Sequence, residues 1–124
     1  MVPKNSVLIV DHSRESREVL RTALERRGVQ IWEAVRADQG LDMARRHRPD
    51  LIVLDLEVTA SPAQNVAGDF EKATQSEATP LLLLGAARRS SGSSPREQFV
   101  SKPYHYGPLI RKIEQLLGGI GPRG

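Results

Sequence analysis

Two short runs without a polar residue constrain this chain most: "LIVL" at 51–54 and "LLLL" at 81–84. Successive side chains of a strand point to opposite faces, so a strand with one wet face alternates apolar and polar residues. A strand that does not alternate is buried on both faces. That is the environment of an inner strand in a parallel sheet covered by helices on both sides. A third run, "VLIV" at 7–10, has the same character, and both it and 51–54 end on an aspartate, Asp11 and Asp55.

Helical patterns separate these runs. After Asp11, Ser13 suits an N-cap, Glu15 falls in the first turn, and Gly28 is a C-terminal stop. Val19, Leu20, Ala23 and Leu24 form one stripe between them. Residues 29–34 read as a second strand with one less buried face. "ADQGLDMARRHRP" reads as a helix with Ala37, Leu41 and Ala44 inward and Pro49 just past its end. A helix from about 62 to 73 follows the third strand, with Pro62 in its first turn. The Gly/Ser-rich "GAARRSSGSSPRE" is expected to be a mobile loop with at most a short helix. "QFVS" at 98–101 is a fifth strand. "PLIRKIEQLLG" is a last helix with Leu109, Ile110, Ile113, Leu116 and Leu117 on one face, and the tail 119–124 is expected to fray.

Strand and helix thus alternate five times, which predicts an α/β fold: a flavodoxin-like (βα)5 three-layer sandwich whose parallel sheet has the order 2-1-3-4-5. The 124 residues suffice for one domain, with a core over about 5–118. Cysteine is absent, so disulfides and thiolate metal sites are excluded. A net charge of +3 raises the question of nucleic acid, but the arginines are dispersed except in "ARRHRP". One Trp, two Tyr and two Phe leave little for base stacking, so no nucleic acid partner is expected. No run approaches a membrane span, and the N-terminus carries no hydrophobic signal segment, so a cytoplasmic protein without membrane contact is expected.

In the order 2-1-3-4-5, strands one and three are neighbours and the ligand crevice lies where the winding reverses. Asp11 and Asp55 then stand side by side at the carboxyl ends of those strands. Lys102, just after strand five, reaches the same crevice. Two carboxylates and an ammonium on one rim suggest a site for a divalent cation and a phosphoryl group.

Over nearly its whole length the chain resembles the receiver domain of two-component response regulators. The motifs that carry the resemblance are "VLIVDHS", "PDLIVLDLE", "TPLLLLGA" and "FVSKPY", in the family's order and near its spacing. The resemblance implies that Asp55 accepts a phosphoryl group from a phosphohistidine of a sensor histidine kinase or phosphotransfer protein. A carboxylate in that role is a covalent nucleophile. It further implies that Asp11, Asp55 and the Glu57 backbone carbonyl hold Mg2+, and that Lys102 contacts the phosphoryl oxygens. Pro103 follows a usually cis Lys102–Pro103 bond, and Phe99 is the aromatic that switches rotamer on activation. The implied class is a signalling module rather than an enzyme, at most transferring phosphate to its own Asp55 and removing it again.

Two positions depart from the family pattern. His12 replaces the second acid of the pair; imidazole is a poor ligand for a hard cation, so weakened magnesium binding is expected, with His12 a candidate additional ligand. Gly85 replaces the Thr or Ser whose hydroxyl bonds the phosphoryl group, so the coupling to Phe99 is in question. The leading reading is a stand-alone receiver, signalling to an unknown downstream protein through the face of the fourth helix, fifth strand and fifth helix. The alternative is a degenerate receiver that acts as a phosphorylation-independent interaction module, including as a homodimer. A small flavodoxin-like enzyme or nucleotide binder is disfavoured, because "DHSRES" would have to serve as the phosphate loop without a glycine.

Overall fold

A computed structural model describes residues 5–59, 65–86 and 95–118. Five parallel strands make one sheet: β1 (Ser6–Val10), β2 (Gln30–Ala34), β3 (Leu51–Asp55), β4 (Leu81–Gly85) and β5 (Glu97–Ser101), in the order β2-β1-β3-β4-β5. Helices α1 (Arg14–Glu25), α2 (Ala37–His47), α3 (Val66–Ala73) and α4 (Tyr106–Leu116) connect and cover them, and a short 3-10 turn (Leu56–Val58) follows β3. The expected topology and all five strands are present. The loop, with at most a short helix, expected between the fourth and fifth strands falls largely on residues 87–94, outside the described residues, as do the tail 119–124 and the start of the expected 62–73 helix.

The apolar runs lie where their lack of alternation puts them. Every residue of β3 and β4 is buried, as are Val7, Leu8, Ile9 and Val10 of β1. The pleat divides them between two cores. Leu8, Val10, Ile52, Leu54, Leu81 and Leu83 face Ala37, Ala44 and Phe70 of α2 and α3. Val7, Ile9, Leu51, Val53, Leu82 and Leu84 face Leu20, Leu24, Leu109 and Ile113 of α1 and α4. Burying each such side chain contributes about 1.5–3 kcal/mol, so the central strands dominate the stability.

Local chemistry sets the helix ends. The Ser13 hydroxyl caps α1 by accepting from the Ser16 N–H at 3.3 Å. Past its C-terminus Gly28 takes φ +82°, a conformation open to glycine. Arg45, Arg46 and His47 occupy the last turn of α2, where positive charge complements the helix dipole. Helix α4 begins two residues before Pro108. That proline lies in the first turn, where no intrahelical partner awaits its missing N–H.

Helix α2 carries one feature that its sequence reading did not single out. Leu41 is half-buried and packs against the core as expected, and Gly40 beside it is buried as well. A Cβ there would stand 2.9 Å from both Phe70 Cζ and Val10 Cγ2. The periodicity marks hydrophobic size, whereas the close approach of helix to strand requires the absence of a side chain.

Candidate functional site

The site grows out of strand ends. Val10 of β1 is paired with Leu54 of β3, so the next residues, Asp11 and Asp55, emerge together from the carboxyl edge of the sheet. Asp11 is 1% exposed and Asp55 3%. Burying carboxylates so deeply is costly unless their oxygens find partners. Asp55 finds two: Oδ1 accepts from the Glu57 N–H at 2.8 Å, and Oδ2 accepts from Lys102 Nζ at 2.7 Å. The same ammonium donates to Glu57 Oε1 at 3.2 Å. Lys102 reaches Asp55 from the end of β5, where its own N–H donates to the Gly85 carbonyl at 2.8 Å. The Lys102–Pro103 peptide is cis.

Asp11 is less well served. Its Oδ1 accepts from the Ser13 N–H at 2.8 Å, but Oδ2 is buried without a hydrogen-bond partner. Desolvation raises the Asp11 pKa above the ordinary 3.8; the Ser13 N–H opposes this, and repulsion from Asp55 adds to it. At Lys102, desolvation acts to lower the pKa, but hydrogen bonds and charge from Asp55 and then Glu57 outweigh it, and the net direction is upward from 10.5.

Asp55, Glu57 and Lys102 line an open cleft of about 590 Å3 together with His12, Ser13, Ser16, Tyr104 and Tyr106, while Asp11 is buried behind its lining. His12 is exposed on its rim. Gly85 ends β4 without a side chain. A Cβ built on it would lie 3.3 Å from Leu56 Cδ1 and 3.4 Å from the Phe99 ring, so Phe99 packs directly over the glycine. The structure therefore brings Asp11, Asp55, Glu57 and Lys102 together, as the sequence predicts, with Gly85 and Phe99 adjoining one another.

The donor set suits a hard cation. Asp11 Oδ2 is a buried anionic oxygen lacking a partner, Asp55 is a second carboxylate, and magnesium commonly uses one or two carboxylates while keeping several waters. Among the described residues no three His, Asp or Glu side chains form a metal cluster by themselves, so water and main-chain oxygen would have to complete the shell.

Sequence reading did not single out Arg17 and Glu33. Arg17 Nη1 donates to the Asp11 carbonyl at 2.8 Å, and its Nε donates to Glu33 Oε1 at 3.0 Å. Arg21 Nη1 donates to the other Glu33 oxygen at 2.7 Å. The one available signal was an acid, Glu33, inside the otherwise apolar stretch "IWEA".

A buried aspartate pair with a lysine on the carboxyl edge of a 2-1-3-4-5 sheet defines a receiver-type α/β protein. Comparison with known proteins agrees: the response regulator receiver domain family matches residues 7–88. The chain belongs to that family. It is 32% identical over 117 residues to the KDP operon transcriptional regulatory protein KdpE of Escherichia coli, covering 90% of this chain but 51% of that protein. It thus spans about half the length of that relative. The polar-differentiation response regulator DivK of Brucella anthropi is 27% identical, covering 94% of this chain and 98% of that protein. A crystal structure of a two-component response regulator from Clostridium difficile superposes with a TM-score of 0.75 at 18% identity, over 93% of this chain and 97% of that one. Among the described residues no helix is long and apolar enough to cross a membrane.

Proposed function

We propose that this domain receives a phosphoryl group on Asp55 from a phosphohistidine and passes the signal to a partner protein. The observation that carries the reading is the buried Asp55 carboxylate, held at 2.7 Å by the Lys102 ammonium and flanked by Asp11. An Asp55 oxygen attacks phosphorus, the P–N bond breaks, and the imidazole leaves with the electron pair. Lys102 is then placed to follow the charge from the carboxylate onto the phosphoryl oxygens. The hydrogen bond from the Glu57 N–H keeps the carboxylate plane fixed as the new bond forms.

Asp11 Oδ2, Asp55 and the Glu57 main-chain carbonyl would hold the cation. Magnesium, when bound, supplies positive charge that offsets repulsion between an anionic nucleophile and an anionic donor. His12 adds no oxygen donor, so the affinity is expected to be lower than with a third carboxylate. The cognate donor is a histidine kinase or a phosphotransfer protein.

A second reading has one observation in its favour. Gly85 offers no hydroxyl to a phosphoryl group, and Phe99 already occupies the space above it. On that reading the domain is a constitutive interaction module. The deciding experiment is incubation with magnesium and a small acyl-phosphate donor, followed by intact mass measurement. A gain of one phosphoryl group that disappears in Asp55→Asn supports the receiver function; no gain under saturating donor supports the constitutive module.

A further inference from the structure

Three of the four polar atoms of Asp11 are fixed. Its N–H donates to the Ala34 carbonyl at 3.0 Å, its carbonyl accepts from Arg17 at 2.8 Å, and Oδ1 accepts from the Ser13 N–H, leaving only Oδ2 without a partner. The first and third of these bonds follow from the strand ladder and the turn into α1. The second does not. It comes from a long, flexible side chain that would be free in water unless something held it.

What holds it is Glu33. The Arg17 side chain is 14% exposed and the Glu33 side chain 26%, so the pair is partly shielded from solvent. Glu33 stands on β2, next to Ala34, and receives Arg17 on one oxygen and Arg21 on the other. An arginine tied at Nε presents its remaining N–H groups in a fixed plane, because the guanidinium is rigid. Nη1 then meets the Asp11 carbonyl.

We infer that Arg17, oriented by Glu33 and Arg21, is a positioning residue that sets the main chain at Asp11 and thereby aims its free Oδ2 at the cation. This rests on the proposed receiver function and assigns a role to residues outside the reacting groups. Outer-shell partners of this kind tune cation affinity without touching the cation. The device suits this chain in particular. With His12 adding no oxygen donor beside it, the aim of Asp11 carries more of the binding.

The test is direct binding of Mn2+, followed by its electron paramagnetic resonance signal, together with the Mg2+ dependence of Asp55 modification by an acyl phosphate. Arg17→Met is expected to weaken Mn2+ binding about tenfold, the lower end of the range for outer-shell partners. The half-saturating Mg2+ concentration should rise in parallel, while the rate at saturating Mg2+ stays within about twofold. Glu33→Gln should move both in the same direction by a smaller factor, and it serves if Arg17→Met does not fold. Arg96→Met, which breaks a comparable ion pair at the other end of the sheet, should lower Tm without moving either value. Equal cation affinity in wild type, Arg17→Met and Glu33→Gln overturns the positioning role while leaving the receiver function intact. A wild-type protein that takes up neither Mn2+ nor a phosphoryl group overturns both.

Discussion

The two ends of the sheet treat buried charge in opposite ways. At the amino ends of β4 and β5, Arg96 donates to Glu71 Oε1 at 2.8 Å and also to the Glu71, Thr74 and Thr79 carbonyls. Opposite charges meet there, and the arginine ties the α3–β4 connection to β5. At the carboxyl ends of β1 and β3, like charges meet, and Asp55 helps to raise the Asp11 pKa. A buried oxygen without a partner is present at both ends, Glu71 Oε2 at one and Asp11 Oδ2 at the other, so the difference lies in the sign of the neighbouring charge. One end spends its charges on holding the fold together. The other keeps an arrangement that would be improved by an added cation, which is what a binding site requires.

The largest expected effect is loss of function at the carboxyl end. Asp55→Asn should abolish the mass gain from an acyl phosphate while the fold persists, because asparagine keeps the acceptor for the Glu57 N–H. A persistent gain would place the acceptor elsewhere and break the comparison at its root.

Next comes Arg96→Met at the amino end. Removing one member of a largely buried pair leaves Glu71 uncompensated, so a loss of about 3 kcal/mol is expected in urea denaturation. Unchanged phosphoryl uptake below the transition would show that the two ends are separable.

Asp11→Asn should do the reverse of Arg96→Met. Because the folded Asp11 pKa is raised, its contribution to stability is present when it is protonated, below the ordinary 3.8, and is lost as pH rises through the raised value. At neutral pH the neutral asparagine should therefore raise Tm by a few degrees, with the gain shrinking as pH falls through that window. Mn2+ binding should weaken in the same variant. A variant destabilised at neutral pH would show that the acidic end is not strained.

The smallest effect is at Gly85. An added Cβ needs only a small retreat of Leu56 and Phe99, so Gly85→Ala should change stability by about 1 kcal/mol or less. A larger loss, read from the same denaturation curves, would mark Phe99 as rigidly seated over the glycine.

Much of this was legible in the chain. The unalternating runs gave β1, β3 and β4, and Ser13 and Gly28 marked the limits of the segment containing α1 because caps are local chemistry. Asp11, Asp55 and Lys102 were identifiable because strand ends plus a strand order specify which residues become neighbours. Gly40 was missed because its importance lies in what it does not contact. Arg17 and Glu33 were missed because a charged residue on a helix face looks the same in sequence whether it meets water or a neighbouring strand.

The sequence by itself determined which segments are buried on both faces and which carboxylates stand at their ends, since hydrophobic periodicity and strand polarity are properties of the chain. Only the tertiary structure decided which oxygens are satisfied. Hydrogen bonds across 47 residues, as between Lys102 and Asp55, or across 16, as between Arg17 and Glu33, depend on ångström-scale placement that no local pattern encodes.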